Sequence, residues 1–254
     1  MKRKWVGGIP FRAHGRRREW GLLGKVGVAA ALVTLAACSQ PPPLDQDWRA
    51  ILGDAAIADA SQPLPPLTAI SGPRPTLVSW KRAATAPAVG PATFPLPVWV
   101  TVDGELRAFC RNYVTSTKAD PVALRRRVER LLGMREGDGD GRVIVEFKTD
   151  AANVFRPCPD PAIDTPSCPA AFDVETLGAL LDRDPVAERI LLRQLLMSYV
   201  QQNGYPFTRR GYTYDWDPSA GVNHHVGLSE YVTRPGSGVE VLSVSSLEAY
   251  CAAQ

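Results

Sequence analysis

Short β-branched runs at Val98–Val102, Arg142–Lys148, Ser229–Thr233 and Val239–Val244, each bounded by Gly, Pro, Asp or Ser, predict strands. The last two are joined by the tight turn Arg234-Pro235-Gly236-Ser237-Gly238. Gly211–Trp216 alternates as well and predicts another strand. Tyr212, Tyr214 and Trp216 would lie on one face of it, with Thr213 and Asp215 on the other. Helical spacing predicts a helix from Glu105 to Val114 behind Asp103, and another behind Asp120-Pro121 that stops at Gly133. Asp173 opens a short helix. Asp184-Pro185 opens the longest one, to Gln202, largely buried through Val186, Ile190, Leu191, Leu195, Met197 and Tyr199, with Asn203-Gly204 closing it. Helices early and strands late predict an α+β domain, a mostly antiparallel sheet packed by helices.

Upstream the pattern weakens. Twelve of the 23 prolines fall between Pro41 and Pro97, which predicts a tether. Within it, Asp45–Ala60 predicts a short helix carrying Trp48, Ile51, Leu52 and Ile57, and Thr76–Trp80 predicts a strand. The expected organisation is a leader over 1–37, a tether over 38–96 and the folded domain over 97–254.

Residues 1–37 carry eight basic side chains against Glu19, a net charge of +7, followed by an apolar run from Val26 to Ala37. That run is too short to span a bilayer but suits a signal peptide. It ends in Leu35-Ala36-Ala37-Cys38-Ser39, which resembles the lipobox of bacterial lipoproteins. The resemblance implies cleavage before Cys38, acylation of its sulfur and amine, and, from Ser39, an outer-membrane lipoprotein facing the periplasm. Its partners would be the membrane, through the anchor, and an envelope protein. Arg17-Arg18-Glu19-Trp20 also resembles a twin-arginine signal, although Gly21 stands where a large apolar residue is usual.

The whole chain carries +3, but from Cys38 onward 21 basic side chains face 25 acidic ones, a net of −4. No basic face for nucleic acid is implied. The densest basic run, Arg125-Arg126-Arg127, lies on a helix whose apolar positions are Leu124, Val128, Leu131 and Leu132, and reads as its solvated side. Four cysteines remain after Cys38, an even count that in an exported chain predicts two disulfides. Of three connectivities, Cys158–Cys168 and Cys110–Cys251 are expected; the spacings do not offer the close pairs of a zinc site.

Three constellations invite chemistry. Glu136–Gly141 superficially follows a calcium loop, but Phe147 stands where a bidentate Glu is needed, so a solvated turn is expected. His224 and His225, near Asp215, Asp217 and Glu230, are the material for a metal-dependent hydrolase at Asp215, His224 and His225. Neighbours on a strand point to opposite faces, however, so loop histidines and no metal are expected. Nucleophile-elbow, phosphate-loop and zinc-protease motifs do not occur.

The densest signal is Gly204–Trp216, with five aromatics and two arginines in thirteen residues. It reads either as a core ladder or as a ligand groove built from Arg209, Arg210, Tyr212, Tyr214 and Trp216. Together with Gly227–Val232 it resembles the late strands of ADP-ribosyltransferase-like and NAD-glycohydrolase domains. That resemblance implies an NAD clamp from Arg210 and Tyr214 and a catalytic Glu230. The Pro-Cys-Pro loop and the Gly-Tyr-Thr-Tyr-Asp-Trp run are similar to a group of uncharacterised proteobacterial proteins, which implies no activity. The expected function is a lipid-anchored envelope module that binds a ligand or protein without catalysis and without a cofactor.

Overall fold

The computed structural model describes residues 46–57, 64–169, 174–223 and 225–252. Residues 1–37, where a leader is expected, and Cys38, Asp173 and His224 lie outside the described residues. The rest is an α+β domain built on one antiparallel seven-stranded sheet.

The chain begins with α1 (Gln46–Ala55), then β1 (Thr76–Arg82), β2 (Gly90–Phe94) and β3 (Val98–Val102). Two helices follow, α2 (Glu105–Thr117) and α3 (Pro121–Leu131), then β4 (Arg142–Thr149) and the two-residue β5 (Val154–Phe155). After α4 (Val174–Arg183) and α5 (Pro185–Leu195) come β6 (Glu230–Thr233), β7 (Ser237–Ser245) and the closing α6 (Leu247–Ala252). The strand order is β2-β7-β4-β1-β3-β6-β5.

Local chemistry explains most boundaries. Asp120 and Asp184 accept hydrogen bonds from the backbone N–H groups of Ala123 and Ala187, each with Pro at the first helical position. The α2 boundary differs from expectation: Gly104, at φ 99°, is the N-cap, while Asp103 accepts from Arg107 and Tyr250 instead. Helix α5 passes into a π-turn, Leu196–Val200, and only Ala187, Leu191 and Ser198 of this stretch are buried. Val186 is exposed, so the helix is amphipathic rather than buried all round.

Two segments differ from expectation for one reason. The strand expected at Thr76–Trp80 within the proline-rich stretch runs to Arg82 and is the central strand of the sheet, pairing β4 along its whole length. β2, from the same stretch, forms the sheet edge on β7. Gly211–Trp216 forms no strand beyond a single bridge between Tyr212 and Ser229. Proline density and alternation are local signals, whereas strand pairing is decided by distant partners.

The sheet has two covered faces. On one, Leu77, Val100, Val145, Phe147, Tyr231 and Val241 form a core with Ile70 and partly buried Ile163 from coil segments. On the other, two helical groups sit side by side. Helices α2, α3 and α6 pack on Val78, Trp80 and Ile144. Helices α4 and α5 pack on Phe155 and Val232, with Trp99 and Phe207 beside them. Two disulfides, Cys110–Cys251 and Cys158–Cys168, tie α2 to α6 and close the Pro-rich loop. Inside that loop the fully buried Arg156 donates to the carbonyls of Thr165 and Ser167 and to the hydroxyl of Tyr231. No helix among the described residues is long and apolar enough to cross a membrane.

Candidate functional site

The two helical groups leave a seam on the sheet face they share, and the strands beneath it part. β1 and β3 pair only at Leu77–Val102 and Val78–Thr101, although both strands continue. Continued past Ser79–Val100, the register would next join Trp80 to Trp99. In its place the Trp80 carbonyl accepts from the Arg142 guanidinium at 2.8 Å, and the Trp99 carbonyl accepts from the Ser79 hydroxyl at 3.0 Å. Side chains thus satisfy carbonyls that a continued ladder would have paired.

Over this parting lies a cavity of about 390 Å³, within the range of small-molecule sites. Trp80, Trp99 and Val78 contribute from the sheet, Leu106 and Met134 from the first helical group, and Gln194 from the second. Trp99 is held edge-on to Phe207, centroids 5.9 Å apart. The Trp80 indole N–H is buried without a hydrogen-bond partner among the described residues.

Glu230 lines the same cavity. It stands opposite Thr101, which stands opposite Val78, so the three share the sheet face beneath the seam. Its carboxyl forms neither a hydrogen bond nor an ion pair among the described residues, and desolvation by burial raises its pKa well above the usual carboxylate value. The side chain is nevertheless only partly packed, and it lines the cavity. Nearby, burial pushes the Tyr199 phenol up to about 12, with Arg209 opposing and Glu230 adding to the rise, while its hydroxyl donates to the Phe207 carbonyl.

The polar neighbours of Glu230 are already engaged. Glu105 accepts from the Thr101 hydroxyl at 3.0 Å and from the backbone and hydroxyl of Ser229 at 3.0 and 2.8 Å, besides Thr68. The basic residues lining the cavity, Lys81, Arg82 and Arg142, cluster where Arg82 opposes Arg142, four residues along β1 from Val78. Their backbone is about 13 Å from the Glu230 row, but the Arg142 guanidinium reaches back to the Trp80 carbonyl and the Lys81 ammonium lies over Phe94.

The residues singled out from sequence are distributed differently. Tyr212 and Tyr214 are buried, their hydroxyls donating to the Pro65 carbonyl and to Asp54. Trp216 donates to the Met134 carbonyl at 2.9 Å and meets Trp48 edge-on at 6.3 Å. Arg209 reaches the Ala56 carbonyl. Four of these five residues hold α1 and the segment before β1, which cover the run. Arg210, Tyr212 and Tyr214 line one hollow of about 180 Å³, and Arg210 and Tyr212 a second of about 390 Å³. What the run gives the cavity is Tyr205, Pro206 and Thr213.

Arg210 and Tyr214 line one cavity and Glu230 another, so the proposed NAD-clamp residues are not brought into one cleft. Asp215 is held by Arg127, and His225 stacks on Tyr214 with its Nε2 3.4 Å from Asp54. No group of three or more metal-ligating side chains occurs among the described residues. Arg127 is itself a correction: it is buried over Phe109 rather than solvated with its neighbours. The acidic turn is organised by Glu129, buried on α3, which accepts the N–H groups of Gly137 and Gly139.

Compared with family models, curated proteins and solved structures, the chain has no match. The cavity therefore carries the functional reading without support from a relative.

Proposed function

We propose that this chain is a lipid-anchored envelope protein of the outer membrane, facing the periplasm, whose domain binds a small ligand without transforming it. The observation that carries the binding reading is the cavity at the β1–β3 parting, aromatic and largely apolar, with basic side chains and the unpaired Glu230 carboxyl among the described residues of its wall. Apolar walls with few polar groups are the usual composition of a ligand site. Catalysis would ask for a partner to Glu230, a second acid, base or nucleophile within reach, and its carboxyl has no such partner among the described residues. All four cysteines of the domain are paired, which removes thiol nucleophiles. The anchor reading rests on Leu35-Ala36-Ala37-Cys38 and the charge change across it. Two or three acyl chains, at roughly 0.8 kcal/mol per buried methylene, suffice for a stable anchor.

The test is ligand-observed NMR of the protein with a set of aromatic fragments, compared with Val78→Phe, which fills the cavity floor. Saturable binding lost in a folded V78F protein supports the reading; binding that V78F leaves intact overturns it. For the anchor, mass spectrometry of the membrane fraction should show acyl chains on Cys38, and an unmodified N-terminus elsewhere would refute it.

A further inference from the structure

Resting on this binding reading, we infer that the cavity selects an amine: a primary or secondary ammonium on a compact apolar or aromatic body, seated with its nitrogen at Glu230. The inference begins with what Glu230 lacks. A carboxyl withdrawn from water is stable when a cation or donors replace the water, and here neither does among the described residues. The basic side chains that line the cavity do not supply the cation. The backbone of Arg82 lies about 13 Å along the strand, and the Arg142 guanidinium, which reaches back to Trp80, is taken up by the Trp80 and Asp138 carbonyls. Glu105, the nearest acid across Thr101, already accepts from Thr68, Thr101 and Ser229. Tyr199 donates to Phe207. A ligand that brings a donor or a positive charge to this wall therefore complements Glu230.

The walls agree with a cation carried on an apolar body. Trp80 and Trp99 flank the parting, and indole faces attract ammonium groups electrostatically. Leu106, Met134 and Val78 offer contact area for the body. The charges set the orientation. An ammonium placed beside Arg82, or beside the Arg142 guanidinium at the Trp80 carbonyl, meets like charge, whereas at Glu230 it meets the acid among the described residues of the wall. A carboxylate ligand would have the opposite preference and would leave Glu230 unpaired.

The experiment is isothermal titration of the full-length chain in detergent with three probes of one shape, 2-phenylethylamine, 2-phenylethanol and 3-phenylpropionate. Each is run on the native protein and on Glu230→Gln, whose fold is checked by circular dichroism. The expected result is at least tenfold tighter binding of the amine than of the alcohol, with the preference abolished in E230Q. Equal binding of amine and alcohol, or a preference for the carboxylate, overturns the amine inference while leaving the cavity a binding site. Failure of all three probes to bind overturns both. An amine preference that survives in E230Q places the nitrogen elsewhere and also overturns the inference.

Discussion

Arg127 and Asp215 form a bidentate pair, Nη1 to Oδ1 at 3.1 Å and Nη2 to Oδ2 at 2.7 Å, with both side chains buried. The pair joins α3 to the segment that the sequence suggested as a ligand strand, and Arg127 also lies over the Phe109 ring at 4.6 Å. Removing one partner of a buried pair costs about 3–5 kcal/mol when the charge is left uncompensated; here Asp217 stays 3.4 Å from the Arg127 Nε, so the cost is smaller. Asp215→Asn should therefore lower the urea midpoint. Asp140→Asn, which loses only the exposed partner of Arg125, should change it little. Equal effects of the two substitutions would remove Arg127–Asp215 from the framework.

The disulfides should differ in weight. Cys110–Cys251 closes a sequence separation of 141 residues and Cys158–Cys168 one of 10. Chain entropy then gives about 5 and 3 kcal/mol respectively. Paired Cys→Ser variants, unfolded in urea, should rank in that order, with C110S/C251S the less stable.

Tyr214 donates to Asp54 on α1, whose Trp48, Leu52 and Ala55 are buried against the domain. Tyr214→Phe removes one hydrogen bond, about 1 kcal/mol, and should speed amide exchange within 46–55 more than elsewhere. Uniform acceleration across the domain would show instead that α1 opens only with global unfolding.

Burial raises the Glu230 pKa in the folded state above its unfolded value. The unfolded chain then loses this proton first, so the native protein loses stability as pH rises from the ordinary carboxylate range through the folded value. Below that range both states are protonated and the group contributes nothing to the pH dependence. Glu230→Gln should therefore melt higher than the native protein at pH 8, with the gap closing at pH 4. A gap of the same size at both pH values would mean that Glu230 is solvated.

The caps of α3 and α5 were legible because Asp-Pro acts within a few residues, and the cysteine pairs because four thiols leave few pairings and a short loop favours one. The cavity was not legible. Trp80 and Trp99 meet across it only because β1 is central and its ladder with β3 stops after Val78–Thr101, a property of register rather than composition. Glu230 was noticed, but for a different neighbourhood: its backbone N–H bonds the Gly211 carbonyl beside Arg210, while its side chain lines the other side. Sequence proximity gave the backbone relation correctly and the side-chain relation wrongly. The aromatic run left a core ladder and a ligand groove both open, because its cover, α1 and the segment before β1, lies in the proline-rich stretch.

The most direct measurement is ¹³C NMR of the protein labelled at glutamate side-chain carboxyls, with the Glu230 signal assigned by its loss in E230Q. A binding cavity with an unpaired acid predicts that this signal titrates well above the other glutamates in the free protein and shifts to the ionised position when 2-phenylethylamine saturates the site. A Glu230 signal that titrates with the others, or that does not respond to the amine, would contradict the account.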